Sequence, residues 1–307
     1  MKRLEALDEF RGLTVVLLII FMPIWMFTEV PSYLKHAAGN GFTIVDLIVP
    51  LFLFAVGLSF QVSLANRLNR ATKMEAVKHY FYRSLIFIGF GLLGELVKHR
   101  DLQLHWGVLE MIGLSSLVAL PFMFLVGSRR LAIAAIFIFL WQLFLSLGYD
   151  SVALRYDLGG PLSSIAWSSV ILVASALMEN KTEVDFFINS IIIGASFYLT
   201  SNIATIFWPV NKHLVTLTYL NLTIAISITT FFFFRLKEEF YVSRILSSFG
   251  RNALLFYVVA GLTSFLIENT LSPALRWYSV LVLVLVILFL DSTLAKFLDA
   301  KKIYWKI

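Results

Sequence analysis

The sequence predicts an all-α integral membrane protein, a bundle of about ten transmembrane helices with cytoplasmic N- and C-termini. Three observations carry this. Hydrophobic residues make up 59% of the 307 positions and charged residues only 14%, with a mean hydropathy of +0.85; a soluble domain is about a quarter charged. Apolar runs of about 17–25 residues, the length that crosses a bilayer, recur along the whole chain. Lys and Arg are sorted by side: with the N-terminus inside, only Lys35, Lys98, Arg100, Arg155, Lys212 and Arg276 fall in outer loops, and the remaining 19 of 25 lie inside, as the positive-inside rule requires.

The first span is placed at 12–28. It follows Lys2 and Arg3, but Glu5, Asp8 and Glu9 spoil a signal-peptide n-region and no small-x-small cleavage site follows, so the sequence predicts a retained helix. The second, 43–65, follows an outer loop carrying Lys35, His36 and Asn40. A basic inner segment, "NRLNRATKMEAVKHYFYR", then leads to the third span at 80–97. Spans at 105–126 and 130–147 precede the outer connection "GYDSVALRYDLGGPLSS", whose glycines and Pro161 mark a turn region before the sixth span at 163–178. Spans at 184–204, 214–234, 252–268 and 277–296 complete the set, and "AKKIYWKI" reads as a basic, aromatic interfacial tail on the inner side.

Ten spans of ~20 residues leave only loops and tails, so residues 1–307 are expected to form a single membrane domain whose site is built from the bundle and its loops. The absence of cysteine excludes disulfides, thiolate catalysis and cysteine-ligated metal. A net charge of +6 is accounted for by the inner loops, so no nucleic-acid partner is expected; the lipid bilayer is the partner this pattern fits.

An ionisable side chain at the centre of a membrane helix costs roughly 2.5–3.5 kcal/mol on insertion scales, which singles out Asp46, Glu95, Glu110 and Asp291. Glu95 and Asp291 sit near span ends, where a side chain can reach an interface. Asp46 and Glu110 lie about one turn inside the outer ends of their helices, each near a histidine, His36 and His105. That pattern suits an outward-opening polar pocket. Intramembrane carboxylates also suit a proton-coupled transporter or flippase.

Six stretches taken in order form a larger pattern: "LEALDEFRGLTVVLLII", "YLKHAAGNGFTIVDLIVPLFLFAVGLSF", "YRSLIFIGFGLL", "WGVLEMIGLSSLVAL", "WPVNKHLVTLTYLNLT" and "FGRNALLFYV", spanning residues 4–258. The chain resembles the heparan-alpha-glucosaminide N-acetyltransferase family of transmembrane acyltransferases. The resemblance implies an enzyme that takes an acetyl group from cytosolic acetyl-CoA and delivers it across the membrane to the amino group of an amino sugar or glycan. It implies His36 as the catalytic residue, with Asp46 orienting it or the acceptor amine. A neutral imidazole suits either deprotonation of an amine or transient acyl acceptance, and both routes stay open.

On this reading acetyl-CoA is the co-substrate and no metal is required. Its phosphates are expected on Arg11, Arg83 and Arg251, with Asn252 at a helix N-terminus beside them. Asn40, Glu110, Asn211 and Lys212 are expected to contact the acceptor. The chain departs from the family pattern at Met22 and Pro23, where an asparagine is common, at Gly39, where an aromatic is frequent, and at Glu110-Met111, where Gln-Arg is frequent. A non-catalytic scaffold of the same fold therefore stays open, as does a homodimer. If the chain is prokaryotic, its multi-pass home is the plasma membrane.

Overall fold

The computed structural model describes residues 4–99, 105–180, 182–238 and 240–305. Of the charges counted above, Lys2, Arg3, Arg100, Lys181 and Lys306 lie outside the described residues. The helices are α1 (Glu5–Phe21), α2 (Ile48–Leu68), α3 (Lys73–His99), α4 (Val108–Ala119), α5 (Gly127–Phe144), α6 (Asp150–Ala153), α7 (Ser164–Leu177), α8 (Glu183–Ala204), α9 (Leu217–Lys237), α10 (Arg244–Arg251), α11 (Ala253–Thr270) and α12 (Trp277–Ala300). Short 3₁₀ turns connect several of them, and no strand occurs among the described residues.

Among the described residues seven helices are long and apolar enough to cross a membrane: the second, third, fifth, eighth, ninth, eleventh and twelfth. The runs expected as first, fourth and sixth spans form the shorter helices α1, α4 and α7. Exposure supports a lipid surround. Leu85, Phe90 and Leu93 on α3, Ile191 and Leu199 on α8, and Leu285 and Phe289 on α12 all point outward, an apolar exterior that water would not tolerate over such an area.

The chain divides into two compact units, one made of Met1–Ala38, Thr43–Ile48 and Thr230–Ile307, the other of Gly39–Phe42 and Val49–Thr229. In the first, α1 packs against α10, α11 and α12. It starts seven residues before the expected span, because its acidic first residues are matched inside the protein and need no water. Glu9, fully buried, accepts hydrogen bonds from Lys237 Nζ at 2.7 Å and from the Ser243 amide at 2.6 Å. Hydropathy stops at a charge, whereas the backbone hydrogen-bond ladder continues through it. Two glycines set the α1–α10 crossing. A Cβ on Gly12 would overlap the Leu246 carbonyl oxygen, and one on Gly250 would overlap the Asp8 carbonyl oxygen.

In the second unit α7 is the central helix. Every residue of it except Ile165 is buried, against α4 and α5, and against α2 at Gly57, whose added Cβ would lie 2.5 Å from the Ile171 carbonyl. Three of its four serines are satisfied without water, since Ser168, Ser169 and Ser175 donate to carbonyls three residues back, while the buried Ser164 hydroxyl has no hydrogen-bond partner. A buried arginine joins the surroundings: Arg130 donates to Gln61 Oε1 at 2.7 Å and to Glu179 Oε2 at 2.5 Å. The turn expected between the fifth and sixth spans forms around Gly160, whose φ of +75° is open to glycine. Gln142 then reaches from α5 to accept the Leu217 amide, tying off the N-terminus of α9.

Candidate functional site

Thr43, in extended conformation, precedes a 3₁₀ turn over Ile44–Leu47 that runs directly into α2. Asp46 is the third residue of that turn and folds back to close a capping box with Thr43. Its Oδ2 accepts the Thr43 amide at 2.9 Å, the Thr43 hydroxyl at 3.1 Å and the Ala37 amide at 3.4 Å. Its Oδ1 lies 2.8 Å from His36 Nδ1. The Asp46 side chain is wholly buried while that of His36 is 41% exposed. Donors therefore surround the carboxylate, and the imidazole is held at one nitrogen only.

The protonation pattern follows from the donor inventory. A carboxylate only accepts, so His36 donates from Nδ1, and in the neutral ring Nε2 is then the lone pair, with no hydrogen-bond partner among the described residues. A histidine in this state can accept a proton or attack an electrophile at Nε2, and the buried aspartate stabilises the cation that results. The loop approaching the pair is pinned in turn: Lys35 Nζ donates to the Phe27 carbonyl at 2.6 Å.

The next residues of the loop belong to the second unit. There Asn40 Oδ1 accepts from Asn211 Nδ2 at 3.0 Å, and the Gly41 amide donates to the Val210 carbonyl at 2.8 Å. Asn211 also organises its own turn, its Oδ1 accepting the Leu214 amide at 3.0 Å, with Lys212 next in the chain. Asn40 and Asn211, 171 residues apart in sequence, are thus direct partners.

Glu110 lies in the first turn of α4, 1% exposed, with its carboxylate against Gly91 of α3. A Cβ on Gly107 would lie 2.6 Å from Glu95 Oε1 and 2.9 Å from Glu110 Oε2, so two carboxylates flank this glycine. Glu110 Oε1 has no hydrogen-bond partner. Asp291, expected to reach an interface, is instead buried with an unpaired Oδ2. Its helical register turns it inward, a direction that distance from the span end does not encode.

The expected phosphate ligands fall into two environments. Arg251 donates to Asp299 Oδ1 at 2.6 Å and to Glu5 Oε2 at 3.1 Å, with Asp8 Oδ2 3.8 Å from its Nε. Burial opposes its charge, but Asp299 and Glu5 outweigh that effect and raise its pKa above the ordinary arginine value. Arg11 pairs with the same Asp8 at 3.2 Å, so a shared carboxylate brings these two arginines together. Asn252 is turned to the C-terminal segment, donating to the Ile303 carbonyl at 3.0 Å and accepting the Trp305 amide at 2.8 Å. Beside Arg251 opens a cleft of about 620 Å³ lined by Glu5, Val242, Arg244, Ser247, Arg251 and Asp299. Arg83 belongs to the other unit and carries no carboxylate partner among the described residues.

Sequence reasoning did not single out Thr43, although a threonine three residues before an acidic residue at the start of an apolar run is a helix-start signal. It also did not pair Glu95 with Glu110, whose proximity depends on the α3–α4 packing. Among the described residues no three or more His, Asp or Glu side chains gather around a common point for a metal.

The family profile described as heparan-alpha-glucosaminide N-acetyltransferase, catalytic, matches residues 3–187. That range contains Arg11, His36, Asn40, Asp46, Arg83 and Glu110, and ends before Asn211, Lys212, Arg251 and Asn252. The mouse protein named heparan-alpha-glucosaminide N-acetyltransferase is 30% identical over 127 residues, covering 38% of this chain and 18% of that relative. Its human counterpart is 29% identical over 127 residues with the same coverage. The matched segment therefore spans under a fifth of either relative's length. With the matched range holding the His36–Asp46 pair on its capping turn, the chain belongs to the heparan-alpha-glucosaminide N-acetyltransferase family.

Proposed function

We propose that the protein is a membrane-embedded acetyltransferase that moves an acetyl group from cytosolic acetyl-CoA to an amino sugar or glycan on the extracytoplasmic side. The observation that carries this reading is the 2.8 Å contact between His36 Nδ1 and the buried Asp46, within a family named for N-acetyl transfer. The charge asymmetry supports a multi-pass chain of ten spans with both termini cytoplasmic and an outward-facing His36 loop, in the plasma membrane if the chain is prokaryotic. Residues 1–307 then act as one acyltransferase body.

Two routes use the same nitrogen. In one, Nε2 removes a proton from the neutral acceptor amine as that nitrogen attacks the thioester carbonyl; the C–N bond forms, the C–S bond breaks, and the departing coenzyme A thiolate takes the proton back from the imidazolium. In the other, Nε2 takes the acetyl group first and the amine then displaces it. Asp46 serves both by fixing the tautomer and balancing the positive charge that develops on the ring. Asn40, Asn211, Lys212 and Glu110 are assigned to the acceptor side, and Arg11, Arg83, Arg251 and Asn252 to the donor phosphates.

The test is direct. Purified protein in lipid, given acetyl-labelled coenzyme and glucosamine, should label the amine, and His36→Ala should abolish the transfer. Coenzyme binding without transfer to any acceptor would overturn the reading in favour of a silent scaffold; uptake of solute into vesicles without coenzyme would point to a transporter. Acceptor identity has its own probe at Gly39, where an added Cβ meets nothing within 4 Å. Gly39→Trp should fold with an unchanged unfolding midpoint and lower the acceptor KM for a sugar amine, because it supplies a flat apolar face; an unchanged KM would separate Gly39 from the acceptor.

A further inference from the structure

The α2–α3 hairpin gathers Arg67, His79 and Arg83, and among the described residues no carboxylate forms an ion pair with any of them. Arg67 lies in the last turn of α2, and His79 and Arg83 lie one turn apart on α3. Tyr80, between them in sequence, is buried against Phe60 and donates at 2.8 Å to Ser63 Oγ, one turn before Arg67 on α2. His79 is within electrostatic reach of both Arg67 and Arg83. The Arg83 guanidinium sits 5.6 Å from the Phe87 ring centroid, and its Nε is sealed from solvent with no acceptor.

Arg11, Arg130, Arg235 and Arg251 each hold a carboxylate. Among the described residues Arg67 and Arg83 hold none. Glu75, in the first turn of α3, is engaged elsewhere, its Oε2 capping the helix start through the Thr72 amide at 2.8 Å and the Thr72 hydroxyl at 2.9 Å. A guanidinium taken partly out of water without a counter-charge is costly, and a fold that keeps two beside an imidazole has reserved the place for an anion.

We infer that Arg67, His79 and Arg83 form a phosphate-ester site. A phosphate offers three acceptor oxygens, enough to engage two guanidinium forks and a ring N–H at once. The inference rests on the acyl-donor reading and deepens it at Arg83: Arg67 and His79 join that arginine on the phosphates of the donor's nucleotide end. A phospholipid headgroup carries the same chemistry, so the test separates the two sources.

Wild type, Arg67→Gln and Arg83→Gln are placed in phosphatidylcholine nanodiscs and titrated with coenzyme A and with pantetheine, which lacks phosphate. A parallel arm measures retention of phosphatidylglycerol by native mass spectrometry. Each variant should weaken coenzyme A binding by about ten- to a hundredfold and leave pantetheine binding unchanged. Loss of phosphatidylglycerol retention with coenzyme A binding intact would assign the same site to a lipid headgroup. Unchanged binding of both, or binding of neither by wild type, overturns the site. If wild type retains phosphatidylglycerol through Arg83 but binds no coenzyme, the donor reading fails while the phosphate site stands. Removal of an unmatched charge should leave the ligand-free unfolding midpoint of Arg83→Gln equal to or above that of wild type; a fall marks a structural role and overturns the inference.

Discussion

Asp46→Asn should lower kcat for acetyl transfer by about 10²–10⁴-fold while the protein keeps its unfolding midpoint to within a few degrees. Asparagine is the same size and retains an oxygen for the Thr43 amide and hydroxyl, so the helix start at Ile44 survives. What changes is the group facing His36. If the amide nitrogen replaces Oδ1, it donates to Nδ1, forces the ring proton onto Nε2 and removes the lone pair on which either acyl route depends. Asp46→Ala is the informative companion, because it loses the capping box as well and should cost both activity and about 1 kcal/mol of stability. Steady-state kinetics beside thermal unfolding in the same detergent distinguishes the two. An Asp46→Asn protein with wild-type kcat would reduce the aspartate to a helix cap.

Gly12→Ala should be among the most damaging single methyl groups in the first unit. The added Cβ would meet the backbone of Leu246 and not the tip of a flexible side chain, so rotamer changes cannot relieve it. The cost should exceed the roughly 1–3 kcal/mol typical of overpacked cores, and Gly250→Ala should behave alike, since it meets the Asp8 carbonyl from the opposite side of the same crossing. Gly39→Ala, with open space around it, is the neutral control. Folded yield by size-exclusion chromatography and the unfolding midpoint are the readouts. A Gly12→Ala protein as stable as wild type would show that α1 and α10 can separate without loss of the fold.

These residues show what was legible in the sequence. The helical class and the apolar runs follow from hydropathy, since lipid imposes one solvent on the whole surface. The His36–Asp46 pair was readable because only ten residues separate its members and the motif around them is ordered. Helix α10 was not anticipated as an element: its eight residues are too short and too polar for any span signal, and they pack backbone to backbone on α1 through Gly12 of α1 and Gly250 of α10. The start of α1 was misplaced for a related reason, as Glu9 reads as a solvated charge until Lys237, 228 residues away, is brought to it. The partition of the arginines into paired and unpaired was likewise hidden, because partner identity depends on tertiary contacts that a count of positive charges cannot see.

The enclosure of α7 bears on how the chain is made. At 14 residues it is roughly 21 Å long, shorter than a ~30 Å hydrocarbon core, and it carries four serines that lipid would not reward. Such a segment has little reason to partition into a bilayer alone. Three of its neighbours, α2, α4 and α5, precede it in the chain, and α8 and Tyr219 of α9 follow, so biosynthesis delivers a large part of its slot first. Insertion of α7 is thereby a packing event against an existing protein surface, and truncations that remove any of those three walls should strand it outside the membrane.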